Sequence, residues 1–199
     1  MEGLEVRDGG WGPETGEHRD RSGFATGAET PPVVRRRVYT SLYASFLFTV
    51  LGSVAWATGQ PFIFPSLGPT AFVLAFDRHG GRDRARRVIG SHLIGAVAGL
   101  GAYLLVAAGV TLVESPAPAS LDGLRLAASG TLSIAATSWA MIATDTNHAP
   151  ACATTLIVSL GLLSTPRAAA TIVLAVVVLV ATHELALAAA GWTRARLVG

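Results

Sequence analysis

Charged residues are scarce in this sequence, and lysine is absent from it altogether. Only 14% of the 199 residues are charged and 51% are hydrophobic, whereas a soluble domain carries about a quarter charged residues. The single cysteine, Cys152, excludes an intramolecular disulfide and any site built from several cysteines. These deficits indicate an integral membrane protein with one domain.

The acidic residues that are present are concentrated at the start of the chain. Seven of the thirteen lie in residues 1–30. This region is polar and rich in glycine, shows no periodicity, and lacks the apolar segment of a signal peptide. The sequence therefore predicts a disordered, acidic, cytoplasmic tail over residues 1–34 and a transmembrane domain over residues 35–196.

Hydrophobic runs divide the predicted transmembrane domain into six segments. A membrane-spanning helix needs roughly 20 apolar residues. Four runs meet this length, and they cover about 38–58, 88–113, 124–144 and 168–190. Two further runs, 61–76 and 148–164, are shorter. Prolines interrupt the first run, and the second has a proline close to its start.

The positions of the arginines indicate whether the two shorter segments cross the membrane. Arginines cluster at 35–37, 78–87 and 194–196, whereas the loop 114–123 has none. Cytoplasmic flanks of membrane helices collect arginine, and these three clusters fall on one side only if both shorter segments cross. Arg167 is the exception. We therefore expect an all-α protein of the cell membrane with six crossing segments and both termini in the cytoplasm.

The pattern of a long, a short and a long segment occurs twice. Pro69 and Pro150 are 81 residues apart, and the same shift superimposes the flanking segments. Repeat one covers about 38–113 and repeat two about 124–190. Because each repeat has an odd number of crossings, the two insert in opposite directions, as in the inverted repeats of secondary transporters.

The prolines predict a short, broken helix in the middle of each repeat. Irregular backbone survives in a membrane only where it is buried in protein or lines a cavity. We expect one short helix to begin near Pro69, and the second to be capped by Asn147 and to run to about Leu163. The alternative is a pair of proline kinks that only shape packing.

Inverted symmetry would bring the N-termini of the two short helices together near the membrane midplane. Free backbone N–H groups and the positive ends of the helix dipoles would then favour an anion. The expected substrate-binding residues are Ser66, Gly68, Thr70, Asn147, His148, Thr154 and Thr155.

Ionisable residues within the predicted membrane segments are candidates for proton coupling. The candidates are His148, Asp145 and Glu184. Asp145 could pair with His148 or cap the second short helix, and for Glu184 a proton relay and a simple interhelical hydrogen bond stay open. His92 is interpreted as a side chain near the cytoplasmic loop without a role in the site. The Gly95–Gly99 pair is expected to pack helices within its own repeat.

No motif for a catalytic or cofactor site is found. The sequence has no Walker loop, no Gly-x-Ser-x-Gly elbow and no zinc-ligand spacing, and His148 with Cys152 supplies too few ligands for a metal. We therefore expect no enzyme activity, no cofactor, no metal and no nucleic-acid partner. The expected partners are a small inorganic anion and the lipid bilayer, and a homo-oligomer stays open.

Three stretches of the sequence resemble the HPP family of small integral membrane proteins. They are "PSLGPTAFVLAF" (65–76), "RRVIGSHLIGAVAG" (86–99) and "NHAPACATTLIVSLG" (147–161). The likeness covers roughly residues 38–190. His148 and Pro150 match the first and last residues of the family's His-Pro-Pro motif, and Ala149 replaces the middle proline.

The resemblance implies a function as well as a fold. Plant and cyanobacterial members of the family are described as nitrite transporters. The leading hypothesis is therefore a transporter or channel for a small monovalent anion such as nitrite. The alternative is a membrane domain without transport activity, which acts in sensing or in assembly.

Overall fold

The computed structural model describes residues 32–59 and 62–198, and every regular element in these ranges is helical. Six α-helices follow one another: α1 (Pro32–Thr58), α2 (Leu67–Phe76), α3 (Arg82–Ala102), α4 (Leu121–Ala143), α5 (Ala151–Ser159) and α6 (Pro166–Val198). A π-helical turn over Tyr103–Ala107 extends α3, and a 3-10 turn covers Leu112–Glu114. Residues 1–31 of the predicted tail lie outside the described ranges, and α1 begins before the predicted domain boundary at residue 35.

Four helices in the described part of the chain have the length and hydropathy of membrane-spanning helices. They are Val34–Thr58, Arg82–Ala107, Leu121–Ala143 and Pro166–Thr193. They correspond to the four long apolar runs of the sequence. α2 and α5 have 10 and 9 residues, so each is about 15 Å long or less, half the thickness of a bilayer core.

Successive helices run in alternating directions. The Arg36 guanidinium at the start of α1 lies 4.8 Å from the Phe76 ring at the end of α2, and Arg87 at the start of α3 contacts Asp145 just after α4. We call this end of the bundle the arginine side. The connection between α3 and α4 lies at the other end, the far side, where Leu112 N donates to Leu160 O just after α5.

The helix core lies where α1, α2 and α6 meet. Leucine and isoleucine side chains that are at most 1% exposed fill it, and they are Leu47, Leu51, Leu67, Leu74, Ile172 and Leu179. Burying such side chains against one another excludes both water and lipid from the interior. The core thereby positions α2 against the remainder of the bundle.

The second short helix differs from its prediction at both ends. α5 begins at Ala151 with Pro150 at the N-cap, so the prediction that Asn147 caps it is wrong. The residue before a proline is disfavoured in helical geometry, and this keeps Ala149 and the residues before it out of α5. α5 ends at Ser159 rather than at about Leu163.

Gly161 explains the early end of α5. Its φ is +77°, and the N–H groups of Gly161 and Leu162 bond back to Val158 O and Ile157 O. This is the hydrogen-bond pattern of a glycine-terminated helix. A Cβ at Gly161 would lie 2.4 Å from Val110 O, so no larger residue fits there.

Two glycines of α3 allow α5 to pack directly on its backbone. A Cβ at Gly95 would lie 2.8 Å from Ala151 O, and one at Gly99 would lie 2.6 Å from Thr155 O. Small residues at this spacing permit close helix approach in membranes. The prediction that Gly95 and Gly99 pack within their own repeat is therefore wrong, because α5 belongs to the second predicted repeat.

Candidate functional site

Both short helices begin deep in the bundle, next to α3. Pro69 lies in the first turn of α2 and Pro150 directly before α5, where the missing proline N–H breaks no helical hydrogen bond. The fourth residue of each helix is a buried threonine, Thr70 in α2 and Thr154 in α5. The sequence predicted both threonines as site residues.

His92 of α3 joins these two threonines. Its Nε2 lies 3.0 Å from Thr70 Oγ1 and its Nδ1 lies 2.7 Å from Thr154 Oγ1. The side chain is 0% exposed. The interpretation of His92 as a side chain near the cytoplasmic loop is therefore wrong, because it is buried against both short helices.

His148 completes the group, which we call the histidine cluster: Thr70, His92, His148 and Thr154. His148 Nε2 lies 3.3 Å from Thr70 Oγ1, and the centroids of the His92 and His148 rings are 5.5 Å apart. His148 is 7% exposed. The histidine cluster thus connects α2, α3, α5 and the segment before α5 through side chains alone.

The hydrogen bonds of Thr70 assign the protons of the histidine cluster. Thr70 Oγ1 donates to Ser66 O at 2.9 Å, so it accepts from Nε2–H of both histidines. A neutral imidazole has one donor nitrogen and one acceptor nitrogen. In the neutral form of His92, Nδ1 therefore accepts from the Thr154 hydroxyl.

A cavity of about 430 Å³ connects His148 to the arginine side. Its other lining residues include Asn147, which is exposed, and a set of charged side chains, Asp77, Asp83, Arg84 and Arg87. The cavity is therefore polar and charged at its mouth, and its inner end reaches the histidine cluster at His148.

The arginines of the mouth are paired with carboxylates. Arg84 donates to Asp77 Oδ2 at 2.8 Å and to Val73 O at 3.1 Å, and Arg87 lies 3.5 Å from Asp145 Oδ2. The hydrogen bond from Arg84, together with the contact from His79, holds the pKa of Asp77 below its usual value. Asp77 therefore keeps its negative charge beside Arg84.

Four other predicted substrate-binding residues lie around the histidine cluster rather than in it. Ser66 is 0% exposed, and its Oγ has no hydrogen-bond partner among the described residues. Gly68 lines a groove against α1. Thr155 faces α4, where its Oγ1 lies 3.0 Å from Thr137 Oγ1. Asn147 lines the cavity.

Two of the three proton-coupling candidates lie away from the histidine cluster. The Asp145 side chain is 83% exposed and pairs with Arg87. Both carboxylate oxygens of Glu184 accept from the Gly81 N–H at 3.0 and 3.1 Å, so Glu184 caps the start of α3. In the described part of the chain, no three His, Cys, Asp or Glu side chains are grouped as metal ligands.

The sequence contained one signal for His92. His92, Gly95 and Gly99 are spaced i, i+3 and i+7, so they share one face of α3. A face that carries two glycines is suited to close packing, and a histidine on such a face is buried against the neighbouring helix. Charged residues just before His92 masked this signal, because they suggested proximity to the loop.

Comparison with known proteins identifies the family. The family model described as "HPP, transmembrane region" matches residues 30–197. No curated protein matches the chain, and no solved structure matches it. The matched range contains all six α-helices except the last residue of α6.

Proposed function

The chain belongs to the HPP transmembrane family, and we propose that it is a multi-pass membrane transporter or channel for a small monovalent anion such as nitrite. The observation that carries this proposal is the histidine cluster. It gathers uncharged hydrogen-bonding side chains at the starts of two short helices, at the inner end of a cavity.

The chemistry of the histidine cluster favours an anion. The N-termini of α2 and α5 contribute the positive ends of their dipoles, although the first three N–H groups of α5 already donate to carbonyls of the preceding turn. The imidazole N–H groups and threonine hydroxyls bond to one another and to Ser66 O in this conformation, so they would turn from these partners to bind an anion. No carboxylate belongs to the cluster.

The proposal includes an inverted repeat with six crossings and cytoplasmic termini. The equivalent prolines Pro69 and Pro150, the alternating helix directions and the arginines of the 78–87 loop support it. α2 and α5 are too short to span the membrane as helices, so the residues before and after them would complete the crossings. In the proposed orientation the arginine side faces the cytoplasm, because cytoplasmic flanks of membrane helices collect arginine.

Uptake into proteoliposomes tests the proposed function. Purified protein is reconstituted, and the entry of nitrite, nitrate, chloride and formate is compared with that into empty liposomes. We expect flux of at least one of these anions. Flux no greater than that of empty liposomes for all four would contradict the proposal and favour a sensing or assembly domain.

Two variants of His148 connect that flux to the histidine cluster. His148→Gln keeps an N–H donor that reaches Thr70, whereas His148→Ala removes it. We expect uptake near the parent level for Gln and about tenfold lower uptake for Ala, since a hydrogen bond to a charged group contributes about 1.5–3 kcal/mol. Thr131→Val is the control, because the exposed Thr131 hydroxyl donates to Ala127 O in its own helix. Equal uptake by all three variants would contradict a role of His148 in binding.

A further inference from the structure

A row of buried hydroxyls continues from the histidine cluster along the interface between α4 and α5. All of these side chains are 0% exposed, and they are Ser129, Ser133, Thr137, Thr155 and Ser159. Thr155 directly follows Thr154 of the histidine cluster. Ser159 ends α5 close to the far side, where Leu160 O accepts from Leu112 N.

The row is held by hydrogen bonds that can be exchanged. Thr137 and Thr155 bond to each other at 3.0 Å, and Ser133 donates to Gly130 O at 2.8 Å in its own helix. A serine or threonine bond to a carbonyl of its own helix supplements the backbone ladder rather than forming part of it. Such a hydroxyl can turn to a passing ligand without breaking the helix.

Ser159 shows that the row is incomplete in this conformation. Its carbonyl accepts from Ser129 Oγ at 2.8 Å, but its own Oγ is buried without a hydrogen-bond partner among the described residues. A buried hydroxyl without a partner is unfavourable, and each such case in a native protein requires an explanation. A hydrated anion beside Ser159 would supply the missing partner.

The cavity and the row lie on opposite sides of the histidine cluster. The cavity reaches His148 from the arginine side, whereas the hydroxyls are sealed between α4 and α5. α4 and α5 carry no charged residue beyond Asp122 and Arg125, both near the start of α4 at the far side. The interior of this interface is therefore polar but uncharged.

We propose that the row of hydroxyls is the second half of the anion's route, closed in this conformation and opened when α4 and α5 separate on the far side. This inference rests on the proposed function. The hydroxyls replace part of the anion's hydration shell between the histidine cluster and the far side. The arginine side and the far side are then open alternately to the same cluster, as in secondary transporters built from repeats.

Cysteine accessibility tests the route without measuring transport. Ser133→Cys and Leu132→Cys are compared in a Cys152→Ala background. Leu132 is 46% exposed on the other face of α4 at nearly the same depth. Membrane vesicles are treated with 2-sulfonatoethyl methanethiosulfonate, an anionic thiol reagent, and labelling is followed by mass spectrometry. Because the reagent needs a hydrated thiolate, we expect labelling at Ser133→Cys to be at least about tenfold faster. Equal rates would overturn the proposal.

Ser159→Ala supplies the second measurement. Since this variant removes a hydroxyl that has no partner, a purely structural role predicts an unchanged or higher melting temperature and unchanged flux. The route predicts an unchanged or higher melting temperature together with lower flux, and parent-level flux would overturn it. Absence of flux in the parent chain would refute the proposed function, whereas equal labelling of the two cysteines would refute this route alone.

Discussion

His92 is the residue on which the histidine cluster depends, because its two ring nitrogens contact hydroxyls from two different short helices. Thr70 also bonds to His148 and to Ser66 O. Through its two threonine partners, His92 is therefore coupled to Thr70, Thr154, His148 and Ser66. Buried polar networks of this kind are stabilising only while every member has a partner.

Replacing His92 tests this dependence. We expect His92→Ala to reduce stability by about 1–3 kcal/mol, because it leaves the Thr154 hydroxyl without its partner, and to abolish anion flux. Thermal unfolding in detergent measures the stability, with Thr131→Val as the control for loss of an exposed hydroxyl. A melting temperature equal to that of the parent would contradict the coupling of α2, α3 and α5 through His92.

The carboxylate of Asp77 at the mouth of the cavity should make the stability of the protein depend on pH in the acid range. Arg84 lowers the pKa of Asp77 in the folded protein relative to its ordinary value of 3.8. A group of this kind contributes stability above its unfolded pKa, and this contribution is lost as the pH falls through the folded value. We expect the melting temperature of the parent to fall more steeply below about pH 4 than that of Asp77→Asn. Asp83→Asn in the first turn of α3 is the control, and the same slope in parent and Asp77→Asn would contradict the prediction.

At the scale of elements, three glycines determine where α5 packs and where it ends. Gly95 and Gly99 leave room for the α5 backbone, and Gly161 ends the helix against Val110 O. The prolines let the sequence predict that two short helices exist and roughly where each begins. The sequence could not predict where α5 ends or that α5 packs on α3, because both features depend on contacts between distant parts of the chain.

Alanine substitutions in α3 separate packing from helix propensity. The Cβ of Gly95→Ala or Gly99→Ala would meet a backbone oxygen of α5, so each should cost about 1–3 kcal/mol of stability. A Cβ added at Gly101 would meet no atom of a neighbouring element within 4 Å. Gly101→Ala should therefore gain up to about 1 kcal/mol. Unfolding midpoints that rise for all three variants would contradict the α3–α5 contact.

At the scale of the whole molecule, the two predicted repeats are interleaved. α5 of the second repeat packs on α3 of the first, and Thr70 of the first repeat contacts His148 of the second. The sequence predicted the four long membrane helices because each one is a continuous apolar run. The sequence could not predict the hydrogen-bond partners of each site residue, because these partners depend on how the helices pack.

The orientation of the molecule is tested with cysteines in the two connecting loops. Arg82 and Ala117 are exposed at opposite ends of the bundle, and neither has the positive φ that makes Gly81 and Ala119 poor sites for substitution. In a Cys152→Ala background and intact cells, we expect an impermeant thiol reagent to label Ala117→Cys and not Arg82→Cys. Equal labelling from outside would contradict the crossing of segment 61–76 and with it the inverted repeat.

The close seating of α5 on α3 has a consequence for biosynthesis. A nine-residue helix is too short to partition into lipid on its own, and its carbonyls at Ala151 and Thr155 lie against glycines that precede them by 56 residues. We therefore expect α5 to reach its place by docking onto α3, which is synthesised before it, so that the placement of this segment is a folding step rather than a partitioning step.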